Sequence, residues 1–301
     1  MMARNVLAAS ALLLIAAAAP AYDATVRLRT MQVDREALPP GKDGKPPGTD
    51  AVLALTPETL LKKGAPQAIV QEGIVYVSGT KVRMDTETDQ GAYSIVVLDN
   101  GITWMIVPAE KRYIEWTEAD AKAAADKMEN MKKLLKERLP SLPPDQRKQA
   151  EAVLKRIDPD ANVPTSALQP KALDQTKTVH GMKAEGYRIK DGDTTVVGWI
   201  TQDQPELTQA LRLLTERMQK QQLAPGGPQK TVREILQGKG LPVLVQTVEP
   251  DVYRIEEIIS VDQKPLAADL FTVPKDFKKT SGSEVLNKIP DKLPESAPAA
   301  P

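Results

Sequence analysis

The sequence predicts an α+β fold in which one antiparallel sheet carries helices on one face. Short segments rich in Val, Ile, Tyr and Thr occur both before and after a pair of helix-like segments, and no linker divides them into two self-sufficient sets. The chain has 301 residues, 41% of them hydrophobic, which is enough for a substantial core. Since the helices come in blocks between the strands, we expect them to cover one face of a shared sheet.

The first 21 residues have the pattern of a secretory signal peptide. Arg4 precedes an apolar run from Val6 to Ala19, and Ala19-Pro20-Ala21 fits the small-residue rule for cleavage. A membrane-spanning helix is the competing interpretation, but this run is shorter than the roughly 20 residues that a bilayer requires, and no second run follows. We therefore expect cleavage after Ala21 and a periplasmic protein that is not integral to the membrane.

The first half of the chain is predicted to be mainly strands. Residues 25–33 alternate as a strand does, a Pro/Gly-rich loop follows at 39–49, and Thr56-Pro57-Glu58 begins a short helix that Gly64 ends. Five strands come next, at 69–77, 80–87, 92–99, 102–107 and 111–116. Asn100-Gly101 predicts a two-residue hairpin turn, because both residues tolerate positive φ. We expect residues 95–116 to form the centre of the sheet.

The second half alternates helices and strands. Thr117 begins a helix with Asp120 three residues on, a pattern typical of a capping box, and Pro140 ends it. The further elements expected are helices at 144–157, 205–222 and 230–237 and strands at 176–190, 194–201, 242–248 and 252–262. We expect one domain over residues 22–278 with a helical insertion at 117–157, and a disordered Pro/Ala/Lys-rich tail over residues 279–301.

Composition and motifs favour a non-catalytic protein without a cofactor. Cysteine is absent, so there is no thiolate for a metal or for nucleophilic catalysis, and 40 basic residues balance 40 acidic ones, which gives no reason to expect nucleic acid as a partner. Gly-rich phosphate loops and His-Glu-x-x-His are also absent. Asp85, Glu87 and Asp89 alternate, but Gly91 and Val96 stand in the wrong places for a calcium loop, so we expect a solvated hairpin and no metal.

His180 is the one histidine of the chain. It could act as a base or a ligand, but no Gly-x-Ser-x-Gly accompanies it and no partner is visible in the sequence. A partly exposed strand residue is the simpler interpretation.

One stretch carries a family resemblance. It consists of an apolar strand from Ile95, the turn Asp99-Asn100-Gly101, a strand bearing Trp104, and then Pro108. This order resembles the outer-membrane lipoprotein carrier (LolA/LolB-like) superfamily, and specifically an exported branch of it. Weaker matches are Lys81–Asp85, Lys111–Tyr113, the spacing from Gly181 to Tyr187, and the closing Leu270-Phe271-Thr272-Val273-Pro274.

The resemblance implies a curved antiparallel sheet, a half-barrel, whose concave apolar face is closed by helices and holds acyl chains in the carriers. The face bearing Trp104 is the candidate lining, and the Ala/Met stripe of helix 117–139 is the candidate lid. The predicted cavity residues are Val82, Met84, Ile102, Trp104, Ile106, Ile114, Trp116, Met128, Met131 and Leu135. The same residues could instead form an ordinary filled core. The helical insertion 117–157 departs from the carrier pattern.

Three functions follow as hypotheses. The first is a periplasmic protein that binds or shields a lipid, an acyl chain or another apolar ligand between sheet and helices. The second is a structural protein of the envelope whose core is filled and whose strand edges or tail contact a protein partner. The third is a hydrolase that uses His180 and a carboxylate. A co-purified apolar ligand would distinguish the first from the second, and His180→Ala would test the third.

Overall fold

The computed structural model describes residues 22–39, 47–62, 68–88, 91–143, 168–220 and 235–287, together with a few isolated positions. The predicted signal peptide lies outside the described residues, as do most of the second helix of the insertion and residues 288–301 of the tail.

The described residues form one sheet of twelve strands, which confirms that strands from both halves of the chain share a sheet. The strands are β1 (Asp23–Asp34), β2 (Ile69–Ser78), β3 (Lys81–Thr88), β4 (Gly91–Val97), β5 (Thr103–Val107), β6 (Arg112–Trp116), β7 (Lys171–Val179), β8 (Met182–Asp191), β9 (Thr194–Thr201), β10 (Leu241–Val248), β11 (Val252–Asp262) and β12 (Lys278–Ser281). Their order across the sheet is β12-β6-β5-β4-β3-β2-β1-β11-β10-β9-β8-β7.

Two antiparallel meanders make up this sheet. One runs from β1 to β6 and the other from β7 to β11, and they join where β1 pairs with β11. β12 is the exception, since it pairs in parallel with β6 at one edge. The expectation that residues 95–116 form the centre is wrong: β4 to β6 lie near an edge, and β1 occupies the middle, with six strands on one side of it and five on the other.

Five α-helices accompany the sheet in the described residues. They are α1 (Thr49–Leu53), α2 (Pro57–Lys62), α3 (Glu118–Arg138), α4 (Pro205–Lys220) and α5 (Gly282–Leu286). The predicted capping box is present at α3, where Thr117 Oγ1 accepts from Asp120 N at 3.2 Å and Asp120 Oδ2 accepts from Thr117 N at 2.9 Å. Since β12 and α5 occupy residues 278–286, the predicted disordered tail does not begin at residue 279.

Two turns differ from the prediction. Leu98 pairs with Ile102, and Gly101 adopts φ +82° and donates to Leu98 O, so three residues, Asp99–Gly101, form the loop instead of two. The predicted strand 176–190 is two strands, because His180 and Gly181 adopt φ +47° and +85° and reverse the chain. A positive φ is uncommon for a residue other than glycine, and sequence periodicity did not reveal it.

The main core lies between the sheet and three helices. Buried side chains from nine of the twelve strands join Val52 of α1, Leu60 of α2 and Leu207 of α4 in one cluster. α4 buries Leu207, Ala210 and Leu214, which lie on one helical face, and it contacts both β3 and β10. A second cluster lies on the other side of β4 and β5, where Val96 and Ile106 pack against Phe271 of the C-terminal segment 264–277.

Candidate functional site

The predicted lining residues are divided between two faces of the sheet. Trp104 lies opposite Glu115, and Met105 lies opposite Ile114, so Trp104 and Ile114 project to opposite faces. The cause is the link 108–111: it has an even number of residues and therefore pairs even positions of β5 with odd positions of β6. Local sequence does not predict the register of this hairpin, so the expectation that even-numbered residues of the two strands share a face is wrong.

The predicted lining residues on the strands fall into groups that pack against different parts of the molecule. Val82 and Met84 belong to the main core, while Ile114 and Trp116 pack with Ala124 of α3 and with Leu286 of α5. Trp104 and Ile106 pack instead against the C-terminal segment, and Ile102 lies half-buried in the loop before β5. The expectation that one face carries the whole set is therefore wrong. The role of these residues in ligand binding stays a prediction.

The predicted lid lies over one end of the sheet. α3 contacts α5, whose Leu286 O accepts from Lys127 Nζ at 2.9 Å, and it contacts α4. Leu135 is buried, and Met128 and Met131 are half-buried. Met131 and Leu286 help to line an open groove of about 510 Å³ between α3 and α5. The middle of the sheet is covered by α4, which was not part of the predicted lid.

A cluster of charged side chains lies where the two meanders join. Glu257 of β11 is the centre of this polar cluster, and its side chain is only 2% exposed. Its Oε1 accepts from Arg29 Nε of β1 at 2.7 Å, and its Oε2 lies 2.9 Å from Nε2 of His180. Both carboxylate oxygens are therefore occupied by nitrogens from two distant parts of the chain.

The sequence contained a signal for this buried acid. On β11, Tyr253 and Ile255 are buried and alternate, and Glu257 continues the same alternation. On β1 the buried residues have even numbers up to Val26 and odd numbers from Met31 onward. This change lies close to the irregularity in the β1–β11 register, and Arg29 lies between the two sets. A charged side chain on the buried face of an apolar strand requires a partner of opposite charge, and Arg29 is that partner for Glu257.

The contact between His180 and Glu257 shows that the β7–β8 hairpin bends over the sheet. Through the ladder, Glu257 is level with Leu244, Trp199 and Gly186. In a flat sheet the turn at His180 would lie about 20 Å further along β8 and about 14 Å across from β11. The two side chains nevertheless meet at 2.9 Å. The end of this hairpin therefore curls towards the middle of the sheet.

Trp199 of β9 lies beside this polar cluster and is enclosed on both sides. A Cβ at Gly186 would come within 3.1 Å of the Trp199 ring, so the glycine on β8 allows the indole to approach the strand. Lys177 Nζ of β7 lies 4.1 Å from the ring centroid. Trp199 is 8% exposed, and its indole Nε1 has no hydrogen-bond partner among the described residues.

The electrostatics of the cluster follow from burial and from neighbouring charges. Desolvation lowers the pKa of Lys177, and the charge of Glu257 partly opposes that shift. A backbone hydrogen bond lowers the pKa of Glu58 at the start of α2, and the charges of Arg29 and His180 lower it further. Cations and anions therefore alternate from Lys177 through Glu257 to Arg29 and Glu58.

The arrangement is that of an ion-paired cluster. A His–carboxylate pair is present, as the hydrolase hypothesis requires, but Nε2 of His180 faces the carboxylate and Arg29 already holds the same group. Within the described ranges, no three side chains of the His, Asp or Glu type come together as a metal site. Arg29, Glu257, Lys177 and Trp199 were not predicted as site residues, because their association depends on strand register.

No protein-family model and no curated protein matches this chain. Among solved structures, two crystal forms of PNGF-II are similar to it, with 11% and 10% sequence identity, a TM-score of 0.33 for both, and coverage of 86% and 88% of this chain. The aligned part is 31% and 33% of the PNGF-II chain, so this protein spans about a third of its length. A likeness of this size carries no argument about fold or function. In the part of the chain that is described, no helix is long and apolar enough to cross a membrane.

Proposed function

We propose that the protein is an exported, periplasmic, non-catalytic binding protein with a half-barrel sheet, and that it shields an apolar ligand between this sheet and its helices. The observation that supports the proposal is the bend of the β7–β8 hairpin, which brings His180 within 2.9 Å of Glu257 across the intervening strands. A sheet that curls in this way has a concave face, and the main core with α1, α2 and α4 lies against it.

The binding mechanism is transfer of apolar surface out of water. Each methylene of a ligand that enters the interior contributes about 0.8 kcal/mol, so a chain of ten or more methylenes can compete with the packing of a helix. α4 is the helix that would move, because it buries only three side chains in the core, Leu207, Ala210 and Leu214. Partly buried Met218 of α4 and Met84 of β3 can repack.

The proposal is tested by looking for a ligand. Protein purified from the periplasm is analysed by native mass spectrometry and, after solvent extraction, by lipid analysis; a bound apolar molecule is expected. An apolar dye should then bind the extracted protein. Met84→Trp, on the helix-covered side, should weaken dye binding at least tenfold, whereas Ile69→Trp at the exposed end of β2 should not change it. A clean apo mass together with absence of dye binding refutes the proposal.

A second candidate is an envelope interaction protein with a filled core. The observation that favours it is apolar exposure: Ile69 and Val70 of β2 are 58% and 41% exposed, and Leu61 of α2 is 46% exposed. Photo-crosslinking from position 69 in living cells distinguishes the two candidates. An envelope protein captured from position 69, and lost in Ile69→Ser, would support this second candidate, particularly if the purified protein carries no ligand.

A further inference from the structure

We propose that Lys177 and Trp199 form a headgroup site that selects apolar ligands carrying an oxyanion, such as a long-chain carboxylate. The inference rests on the proposed function, because it names the class of ligand that the same interior accepts. It is carried by a sheltered cation and a buried donor that lie side by side and have no polar partner in the described residues.

The cation is Lys177. Its ammonium lies over the Trp199 ring, and among the described residues no carboxylate forms an ion pair with it. Burial lowers its pKa more than the nearby charge of Glu257 raises it, so the ammonium has lost more by leaving water than this carboxylate returns. Cation–π attraction compensates only part of that loss, so an anionic group placed beside Lys177 gains a charge-assisted hydrogen bond.

The donor is the indole N–H of Trp199. It is buried, and a buried N–H without an acceptor costs stability until a water or a ligand supplies one. The ammonium nitrogen lies 4.1 Å from the centroid of the ring that bears this N–H. In the proposed site, one carboxylate oxygen accepts from this N–H at the edge of the ring and the other faces the ammonium over the ring.

The surroundings permit an anion and an apolar chain together. Glu257, the nearby acid, is already paired with Arg29 and His180, so its charge is compensated and does not exclude a second carboxylate. Trp199 belongs to the main core, together with Val179 and Leu244. A headgroup at Lys177 therefore leaves its chain in contact with the apolar interior.

The test compares oleate with methyl oleate, which has the same chain without the charge. Binding to extracted wild-type protein is measured by competition with the apolar dye, and acetate is included as an oxyanion without a chain. Oleate is expected to bind roughly tenfold to a hundredfold more tightly than its methyl ester, as charge-assisted hydrogen bonds allow, and acetate is expected not to compete.

The variants locate the effect. Lys177→Met keeps an aliphatic side chain over the indole and should abolish the preference for oleate. Lys177→Arg keeps the positive charge and should retain the preference. Trp199→Phe removes the N–H and should reduce the preference several-fold. Lys171→Met, at an exposed lysine of the same strand, is the matched control and should leave it unchanged. Equal binding of both probes by the wild type, or a preference that survives in Lys177→Met, overturns this inference alone. Failure of both probes to displace a bound dye also overturns this inference alone, whereas a clean apo mass together with absence of dye binding overturns the proposed function as well.

Discussion

Loss of the Glu257 carboxylate should destabilise the fold strongly, because this group is buried and paired. Glu257→Gln keeps the shape of the side chain but leaves Arg29, which is 15% exposed, without its counter-charge. Removing one partner of a buried ion pair costs about 3–5 kcal/mol, and we expect the free energy of unfolding to fall by about 3 kcal/mol. Urea denaturation measures this change. Glu87→Gln, at an exposed strand position, is the control and should stay within about 0.5 kcal/mol.

Tyr253 should make the protein sensitive to alkali. Burial raises its pKa from 10.0 to about 12, although a hydrogen bond from Gln246 opposes the rise. Because the folded state holds the phenol proton more tightly than the unfolded chain does, the stabilisation is complete below pH 10 and is lost as the pH rises from 10 towards 12.

Tyr253→Phe isolates this effect. We expect the difference in unfolding free energy between wild type and variant to shrink by up to about 2 kcal/mol between pH 8 and pH 12. Denaturation at several pH values measures it, and subtraction of the variant removes the titration that both proteins share. A difference that is constant with pH would show that the phenol ionises as readily in the folded state as in the unfolded chain.

β12 depends on an acidic side chain of β6, Glu115, for part of its attachment to that strand. Lys279 of β12 contacts Glu115 at 2.5 Å, and this hydrogen bond, with a smaller one from Trp104, lowers the pKa of Glu115. A lowered pKa means stabilisation that is present above the unfolded value near 4.5 and is lost as the pH falls through the lower folded value. The pair is partly exposed, so solvent screens it and its contribution to stability is small.

Hydrogen exchange can detect this attachment. In Glu115→Gln the amides of β12 should exchange several-fold faster than in the wild type at pH 7, and the difference should shrink as the pH falls below 4.5. Lys279→Gln should reproduce the result, while Lys278→Gln, on the neighbouring exposed residue, should not. Unchanged exchange in both Glu115→Gln and Lys279→Gln would mean that backbone pairing alone holds β12.

The helices and strands were largely predictable, and their arrangement was not. Alternation and caps located nine of the twelve strands within a few residues, but the prediction fused β7 with β8 and missed β12. The fusion occurred because the turn uses His180 at φ +47°, a conformation that residue preferences do not favour. α1 was missed because five residues after a Pro/Gly-rich stretch give no periodicity.

The candidate site was less predictable for a physical reason. Glu257 and His180 are 77 residues apart, and their meeting depends on three strand registers and on the bend of a hairpin. Neither the registers nor the bend can be predicted from the local sequence. The alternation of Tyr253, Ile255 and Glu257 did contain a signal that a buried acid exists, although it did not identify the partner.

At the scale of the whole molecule, the C-terminal segment should hold the outer side of the sheet in place. Phe271 is 6% exposed and packs with Val96 and Ile106, and Leu270 O accepts from Arg83 Nη1 at 2.8 Å. Phe271→Ala should lower the free energy of unfolding by about 3 kcal/mol and shift tryptophan emission to longer wavelength as water reaches Trp104. Phe277→Ala, at a less buried position of the same cluster, should cost clearly less; equal costs would contradict this account.

The position of β1 has a consequence for how the chain folds. β1 is the first strand in sequence, yet it occupies the middle of the sheet, and Arg29 meets Glu257 across 228 residues. Contacts of such long range slow folding, because a large loop must close before the contacts stabilise anything. One edge of β1 therefore stays unpaired until β11 has been made, and Glu257 of β11 follows Arg29 by 228 residues, so a nascent molecule displays its central strand for a long time. A holdase that protects open strand edges should bind here first, and β11 should be the segment that displaces it.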